Sequence, residues 1–558
     1  MSTINISTSA VTSNCTALLA SSPVLIPGLK PYVAQIYTNG SSFSESNSTV
    51  PNLAEFCRFG AHYNTSSQSQ FQFEVWMPTS WNGRFAHASI VGNGGDLGSI
   101  SYGEMGVPLT KYGFAVASTN TGCPPTAGHN GSVSDGTFAM NNPQSQVDFG
   151  HRAVHLSTVF SKIVVQQYYK RSSSYNYWFG CSSGGKQGMR EVQGFPEDFD
   201  GALTGAPAQW LSRQNGFNIY AGQLNMNDST PGEVVPTSFF PTWAQEVIAQ
   251  CDEIDGVKDN IILNPRLCTP DTSTVVCGSS NLSAYVNSST CITEGQATTL
   301  AAIYKNWTST ATGELLFPSY DPGSESGWTA LLSGEPFGLS CEVYFIFYVK
   351  AIQTYTIITA DFFLYQVYNY TTIQSPLYVN ETELERITAI GDATDPGSGN
   401  AVNPNLTPFF QRGGKLLQYH GSSDQNIPSG SSTHYFERVR KYYNSSSDIS
   451  NNYRLFLVPG MGHCEGGNGA DGFGRPQQQD NSLGGSGQSA VFDEEHDAIL
   501  ALMRWVENGT APDSLISASY VNKNKTEGVA FTRLLCPYPQ EGKYVSGDVN
   551  NSTSYKCE

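Results

Sequence analysis

Gly180-Cys181-Ser182-Ser183-Gly184 sets a serine between two glycines at the spacing of a nucleophile elbow, where small neighbours permit a turn sharp enough to expose the serine Oγ. A Gly/Ser linker would contain the same string, but Trp178-Phe179 before it and Met189 after it are not linker composition. A serine hydroxyl attacks poorly unless a histidine takes its proton and an acid orients that histidine. In elbow-type hydrolases the acid and then the histidine follow the serine along the chain. That order selects Asp424, in Gly421-Ser422-Ser423-Asp424-Gln425-Asn426, and His463, in Pro459-Gly460-Met461-Gly462-His463-Cys464. Asp424 could instead cap the next helix, and His463 could be an ordinary loop histidine. Among its rivals, His420 sits within a strand and reads as a packed core residue, His434 falls in a helical stretch and His129 in a glycine loop. The chemistry also needs donors for an oxyanion. The Ser183 N–H suits one place and the Gly94 or Gly95 N–H the other, unless these are plain turn glycines.

A second cluster, Cys251-Asp252-Glu253-Ile254-Asp255-Gly256-Val257-Lys258-Asp259-Asn260-Ile261, gathers carboxylates around an Asp-Gly turn. Hard oxygen donors of this kind suit Ca²⁺, although the closing glutamate of an EF-hand is absent. By spacing alone the loop reads equally as a solvated acidic turn.

These residues need strands to hold them. Phe71–Trp76 alternates and reads as a strand, Arg84–Val91 as another running into Gly92-Asn93-Gly94-Gly95, and Gly113–Ser118 as a buried third. Residues 147–169 repeat apolar side chains at helical steps. Tyr175–Gly180 then reads as a strand and Gly188–Gln193 as a helix, the strand-turn-helix setting that gives the serine string its meaning. Strand signals resume at Gly414–Gly421 and Arg454–Val458, just ahead of Asp424 and His463, and residues 490–507 read as a final helix. In open α/β sheets ligands bind beyond the carboxyl ends of strands, where all three candidates fall. Between them, from Ala208 to Asn405, cysteines, sequons and Pro/Gly turns replace the alternation. The expected architecture is an α/β-hydrolase core in two parts, residues 1–207 and 406–558, with residues 208–405 inserted as a lid carrying the acidic loop.

Composition narrows the partners. With 29 Lys and Arg against 47 Asp and Glu, the net charge is −18, which opposes binding to nucleic acid or an anionic membrane. The apolar stretch 343–368 is broken by Lys350, Gln353 and Asp361, short of the roughly 20 apolar residues a membrane span needs. Twelve cysteines and dense Asn-x-Ser/Thr sequons, among them Asn14, Asn39, Asn64, Asn281, Asn306, Asn380, Asn405 and Asn508, point to a eukaryotic secretory route. Met1-Ser2-Thr3-Ile4-Asn5 has no signal-peptide character, so the sequence reads as lacking its native leader.

Cys181 immediately before Ser182 and Cys464 immediately after His463 resemble the paired motifs of the tannase and feruloyl esterase family. Trp81-Asn82-Gly83-Arg84-Phe85, Gly92-Asn93-Gly94-Gly95, Gly128-His129-Asn130-Gly131, Thr204-Gly205-Ala206-Pro207 and Gly413-Gly414-Lys415 support the resemblance over most of the chain. The resemblance implies a secreted, extracellular esterase of phenolic acids. Its expected substrates are hydroxycinnamoyl esters, as on plant polysaccharide, or alternatively galloyl esters; Trp81–Phe85 and the helix 151–169 look closer to feruloyl esterases. It further implies a disulfide between Cys181 and Cys464, where the residues alone would also allow a thiol nucleophile. Implied too are the pairs Cys15–Cys57, Cys251–Cys268, Cys277–Cys291 and Cys536–Cys557, leaving Cys123 and Cys341 to pair by elimination. The acidic loop becomes a structural Ca²⁺ site, with Asp252, Asp255 and Asp259 side chains and Val257 and Ile261 carbonyls; no organic cofactor is expected. Acyl selection would fall to lid aromatics among Phe345, Phe347, Tyr348, Tyr355, Phe362, Phe363 and Tyr365, most of which are expected to form the lid's own core. The rival from another class is a secreted binding module that keeps the hydrolase fold without catalysis. Such modules typically lose a triad member, and all three are present here.

Overall fold

The computed structural model describes residues 4–5, 8–45, 48–89, 100–122, 136–226, 233–332, 362–369, 379–444, 449–478 and 485–558. Nine strands build the central sheet: β1 (Lys30–Tyr37), β2 (Phe56–Asn64), β3 (Gln70–Pro78), β4 (Arg84–Ser89), β5 (Ala115–Thr119), β6 (Tyr175–Cys181), β7 (Gly201–Gly205), β8 (Lys415–Gly421) and β9 (Tyr453–Val458). Their order is β9-β8-β7-β6-β4-β5-β3-β2-β1. From β9 to β5 every pairing is parallel, whereas β5–β3, β3–β2 and β2–β1 are antiparallel. This is an α/β-hydrolase fold.

Parallel strands covered on both faces become apolar runs instead of alternating ones. In β6 the side chains from Tyr177 to Cys181 are all buried, and they divide between two cores. On one face Trp178, Trp81 and Phe409 pack with helices α1 (Ala153–Tyr169), α2 (Ser183–Gly194) and α6 (Gly430–Tyr442). On the other, Phe179, Phe114 and Trp76 pack with Leu502 and Trp505 of α7 (Ala498–Asn508). That last helix starts later than its composition suggests. The Asp497 side chain accepts the Leu500 N–H at 3.2 Å and caps it, so residues 490–497 stay in turns.

The segment between β7 and β8 contributes α3 (Leu211–Leu224), α4 (Phe240–Cys251) and α5 (Glu381–Thr394). Its buried side chains, including Trp243, Trp307, Trp328 and Leu384, form a third cluster, joined by Phe138 and Phe149 from the earlier chain. Phe362 and Phe363 lie inside this cluster and Tyr365 packs against it, so these three build the insert. The expected contacts of Phe345, Phe347, Tyr348 and Tyr355 fall outside the described residues. Among the described residues no helix is long and apolar enough to cross a membrane.

Candidate active site

The chain leaves β6 at Cys181 and turns into α2 through Ser182, whose backbone sits at φ 62° and ψ −120°. A non-glycine residue held there costs about 1–3 kcal/mol and persists only where its surroundings enforce it. Here the turn is clamped on both sides. The Ser182 N–H donates to the Gly205 carbonyl at 2.9 Å, and the Ser182 carbonyl accepts from Ala208 at 3.1 Å and Lys186 at 2.9 Å. Its glycines are obligatory because backbone fills the space: a Cβ on Gly180 would stand 2.6 Å from the Gly184 oxygen, and one on Gly185 2.3 Å from the Gly205 oxygen.

Asp424 follows β8 and His463 follows β9, and β7 lies between β8 and β6. Strands two apart are about 10 Å apart, too far for serine and acid to touch, and the histidine spans the gap. His463 Nδ1 is 2.8 Å from Asp424 Oδ2, and His463 Nε2 is 2.9 Å from Ser182 Oγ. Asp424 performs both tasks open to it. Its Oδ1 accepts the Asn426 and Ile427 N–H groups, each at 2.8 Å, and shapes the loop, while Oδ2 faces the imidazole. Burial alone would raise its pKa, but the charge of His463 and the hydrogen bonds of His420 and His463 outweigh burial and hold this carboxyl well below the usual carboxylate range.

Two neighbours were not singled out as site residues by composition or spacing. His420 is fully buried, with Nε2 shared between the Ile427 carbonyl at 2.8 Å and Asp424 Oδ2 at 3.2 Å, and Nδ1 at 2.7 Å from Ser432 Oγ. A group that donates from Nε2 to a carbonyl is placed to hold the acid, not to act as the base. Gln425 Oε1 accepts the His463 N–H at 3.2 Å. Their only sequence signal is adjacency to Asp424. Ser183 is the first residue of α2, and the first N–H groups of a helix have no partner within it, which leaves its amide at the place of an oxyanion donor. Gly94 and Gly95 lie outside the described residues.

Cys181 and Cys464, with Cα atoms 6.1 Å apart, are joined in a disulfide, which rules out a free thiol at either position. It ties the two loops that carry Ser182 and His463 across 283 residues. Cys15–Cys57, Cys251–Cys268, Cys277–Cys291 and Cys536–Cys557 are also disulfides, the pairings that the motif resemblance implied. Cys123 and Cys341 lie outside the described residues.

In the acidic loop, Asp252 Oδ1 accepts the N–H groups of Asp259 at 3.2 Å and Ile261 at 3.1 Å, and Asp255 Oδ1 accepts that of Val257 at 2.9 Å. Arg533 pairs with Asp259. Burial, then the nearby Asp259 and Asp252 charges, push the Asp255 carboxyl up to about 6. Crowded, half-buried carboxyls of this kind are what a bound cation relieves, so the oxygen-rich donor set fits Ca²⁺.

The Tannase and feruloyl esterase family matches residues 57–558. The protein named "Probable feruloyl esterase B-1" of Neosartorya fischeri is 33% identical over 523 residues, 93% of this chain and 88% of that one. The crystal structure of feruloyl esterase B from Aspergillus oryzae superposes with a TM-score of 0.82 at 29% identity, covering 98% of this chain and all of the other. Tannin acyl hydrolase from Aspergillus niger superposes at 0.69 with 23% identity over 99% of this chain and 94% of that one, a likeness of fold alone. A serine, a histidine and an acid in hydrogen-bonded series thus stand in a chain that belongs to the tannase and feruloyl esterase family, and it is a carboxylic-ester hydrolase.

Proposed function

We propose that this protein is a secreted serine esterase acting on hydroxycinnamoyl esters, feruloyl esters of the plant cell wall foremost, through an acyl-enzyme. The observation that carries the reading is the relay from Asp424 Oδ2 through His463 to Ser182 Oγ. Ser182 Oγ adds to the ester carbonyl carbon as His463 Nε2 takes the hydroxyl proton. The oxyanion is met by the Ser183 N–H, and the expected second donor, Gly94 or Gly95, lies outside the described residues. His463 then gives the proton to the departing alkoxide, releasing the alcohol and leaving the acid esterified to Ser182. In the second half His463 takes a proton from water, hydroxide adds to the acyl carbon, and the proton returns to Ser182 as the phenolic acid leaves. Asp424 stays ionised throughout and keeps the imidazole in the tautomer with Nδ1 protonated.

The feruloyl preference is supported by the 33% identity to a protein of that name and the 29% identity to the crystallised feruloyl esterase B. Disulfides persist in oxidising compartments, which supports secretion. Asp252, Asp255 and Asp259 with the Val257 and Ile261 carbonyls would hold a structural Ca²⁺, whose charge offsets that of the loop. Chelation should therefore lower Tm more than it lowers the rate, and loss of rate without loss of Tm would exclude the structural role.

Sulfonyl-fluoride labelling followed by peptide mapping tests the nucleophile: modification at Ser182 with loss of activity is expected. An active, oxidised protein left unlabelled at Ser182 would defeat the reading, and an inactive one would favour the binding module. Parallel rates on methyl ferulate, chlorogenate and methyl gallate test the acyl group. A preference for gallate would make the enzyme a tannase.

A further inference from the structure

At the far end of α2, about 13 Å from Ser182 at 1.5 Å per residue, three side chains from separate elements converge. His155 comes from α1, Glu191 from α2 and Asp198 from the loop that leads into β7. One donor atom from each lies within 4.8 Å of the others, and among the described residues this is the one group of three His, Cys, Asp or Glu side chains that meets that spacing. Glu191 is 1% exposed and faces the Asp198 carboxyl, which it can bond only through a shared proton; its oxygens have no N–H or hydroxyl donor. The nearby cations do not supply one. Lys162 is engaged by the Asp198 carbonyl and stands 3.7 Å from Asp198 Oδ1, and Arg190 acts on Glu191 only through space. Two buried carboxylates pressed together are unfavourable by several kcal/mol in general, and what relieves them is a shared proton or a bound cation in its place.

We propose that His155, Glu191 and Asp198 form a binding site for a first-row divalent cation of the Zn²⁺ or Mn²⁺ class, separate from the active site and from the acidic loop. One imidazole nitrogen and two carboxylates suit these metals better than Ca²⁺, which prefers oxygen ligands alone, or Cu⁺, which prefers sulfur. His155 Nδ1 and Asp198 Oδ2 are 2.6 Å apart. Ligands about 2.1 Å from a tetrahedral ion are about 3.4 Å apart, so entry needs that pair to open by less than an ångström. The path runs past His155, whose side chain is 24% exposed while its ring stacks on Phe195 at 3.8 Å. The ion would tie α1, α2 and the entry to β7 to one another, so its effect falls on stability and not on turnover.

Full-length protein is stripped with chelator, dialysed, and titrated with Zn²⁺ or Mn²⁺, with Ca²⁺ as control, following Tm, heat and the rate on methyl ferulate. The expected result is one saturable site for Zn²⁺ or Mn²⁺ that raises Tm by about 3 °C at a hundredfold excess over Kd. This rise should be absent in Glu191→Gln and in Asp198→Asn, with kcat unchanged in all three proteins. Glu191→Gln keeps the side chain's shape and removes its charge, so a folded apo form is expected. Equal Zn²⁺ and Mn²⁺ binding by Glu191→Gln and the parent, or no saturable binding by the parent, overturns the site. Because Tm and heat are read without substrate, neither result depends on which ester the enzyme cleaves.

Discussion

An Asp–His pair from other elements packs at each end of helix α2, and the two pairs meet different groups. At its N-terminus Asp424 Oδ2 and His463 Nδ1, 2.8 Å apart, face the Ser182 hydroxyl. Toward its C-terminus Asp198 Oδ2 and His155 Nδ1, 2.6 Å apart, face the Glu191 carboxyl. Asp424 is surrounded by donors from Asn426, Ile427, His463 and His420, so its charge is secured although it is fully buried. Glu191 is equally buried, and apart from a proton shared with Asp198 it has no donor. The same pair therefore drives proton transfer where a hydroxyl and a satisfied acid complete it, and calls for a cation where a second, unsatisfied acid does.

Substitution should separate the ends most at the triad. Ser182→Ala is expected to lower kcat by about 10⁴–10⁶-fold and Asp424→Asn by about 10⁴-fold, with Tm little changed for Ser182→Ala. A residual rate within tenfold of the parent, measured on methyl ferulate, would remove this end from catalysis.

Next comes the disulfide that holds the N-terminal end together. Cys181→Ala with Cys464→Ala should lower unfolding stability by about 3–5 kcal/mol, given the long loop it closes, and turnover by about 10–100-fold as Ser182 and His463 lose their fixed separation. Denaturant melts and kinetics at a temperature where the variant is folded read the two effects apart. Parent-like turnover would show that β6, β8 and β9 position the triad unaided.

The depressed pKa of Asp424 makes a signed prediction about pH. A carboxyl that is more acidic folded than unfolded stabilises the fold above its unfolded value, about 3.9, and that contribution is lost as pH falls through its folded value. The stability gap between the parent and Asp424→Asn should be constant from about pH 7 to 5 and narrow below about pH 4. A gap that widens on acidification would reverse the sign assigned to this carboxyl.

The smallest effect on rate belongs to the far end. His155→Gln should leave kcat within about twofold and act on Tm instead, because no group at that end touches the reacting atoms. A tenfold loss of kcat at unchanged Tm would show that the two ends of α2 are coupled.

Most of the scaffold was legible because burial writes itself into composition. The runs at Tyr175, Lys415 and Tyr453 hold consecutive large apolar side chains (Trp178-Phe179, Leu416-Leu417, Leu455-Phe456-Leu457) where strands are covered on both faces, and each is followed within a few residues by one member of the relay. Element boundaries were less legible. Helix α2 begins at Ser183, not near Gly188, because the elbow forces helical backbone at once and glycine-poor composition is not needed there. Residues 490–497 look helical but are held in turns by the Asp497 cap.

Sequence by itself determined the identity of Ser182, Asp424 and His463 as partners and the cysteines beside two of them, since chain order and local glycines are one-dimensional properties. Tertiary structure alone decided that Asp424 also receives His420, that Gln425 holds the His463 amide, and that His155, Glu191 and Asp198 meet at all. The reason is physical: turns and strands are set by neighbours along the chain, whereas the charge a buried carboxylate can keep is set by donors that packing brings from elsewhere.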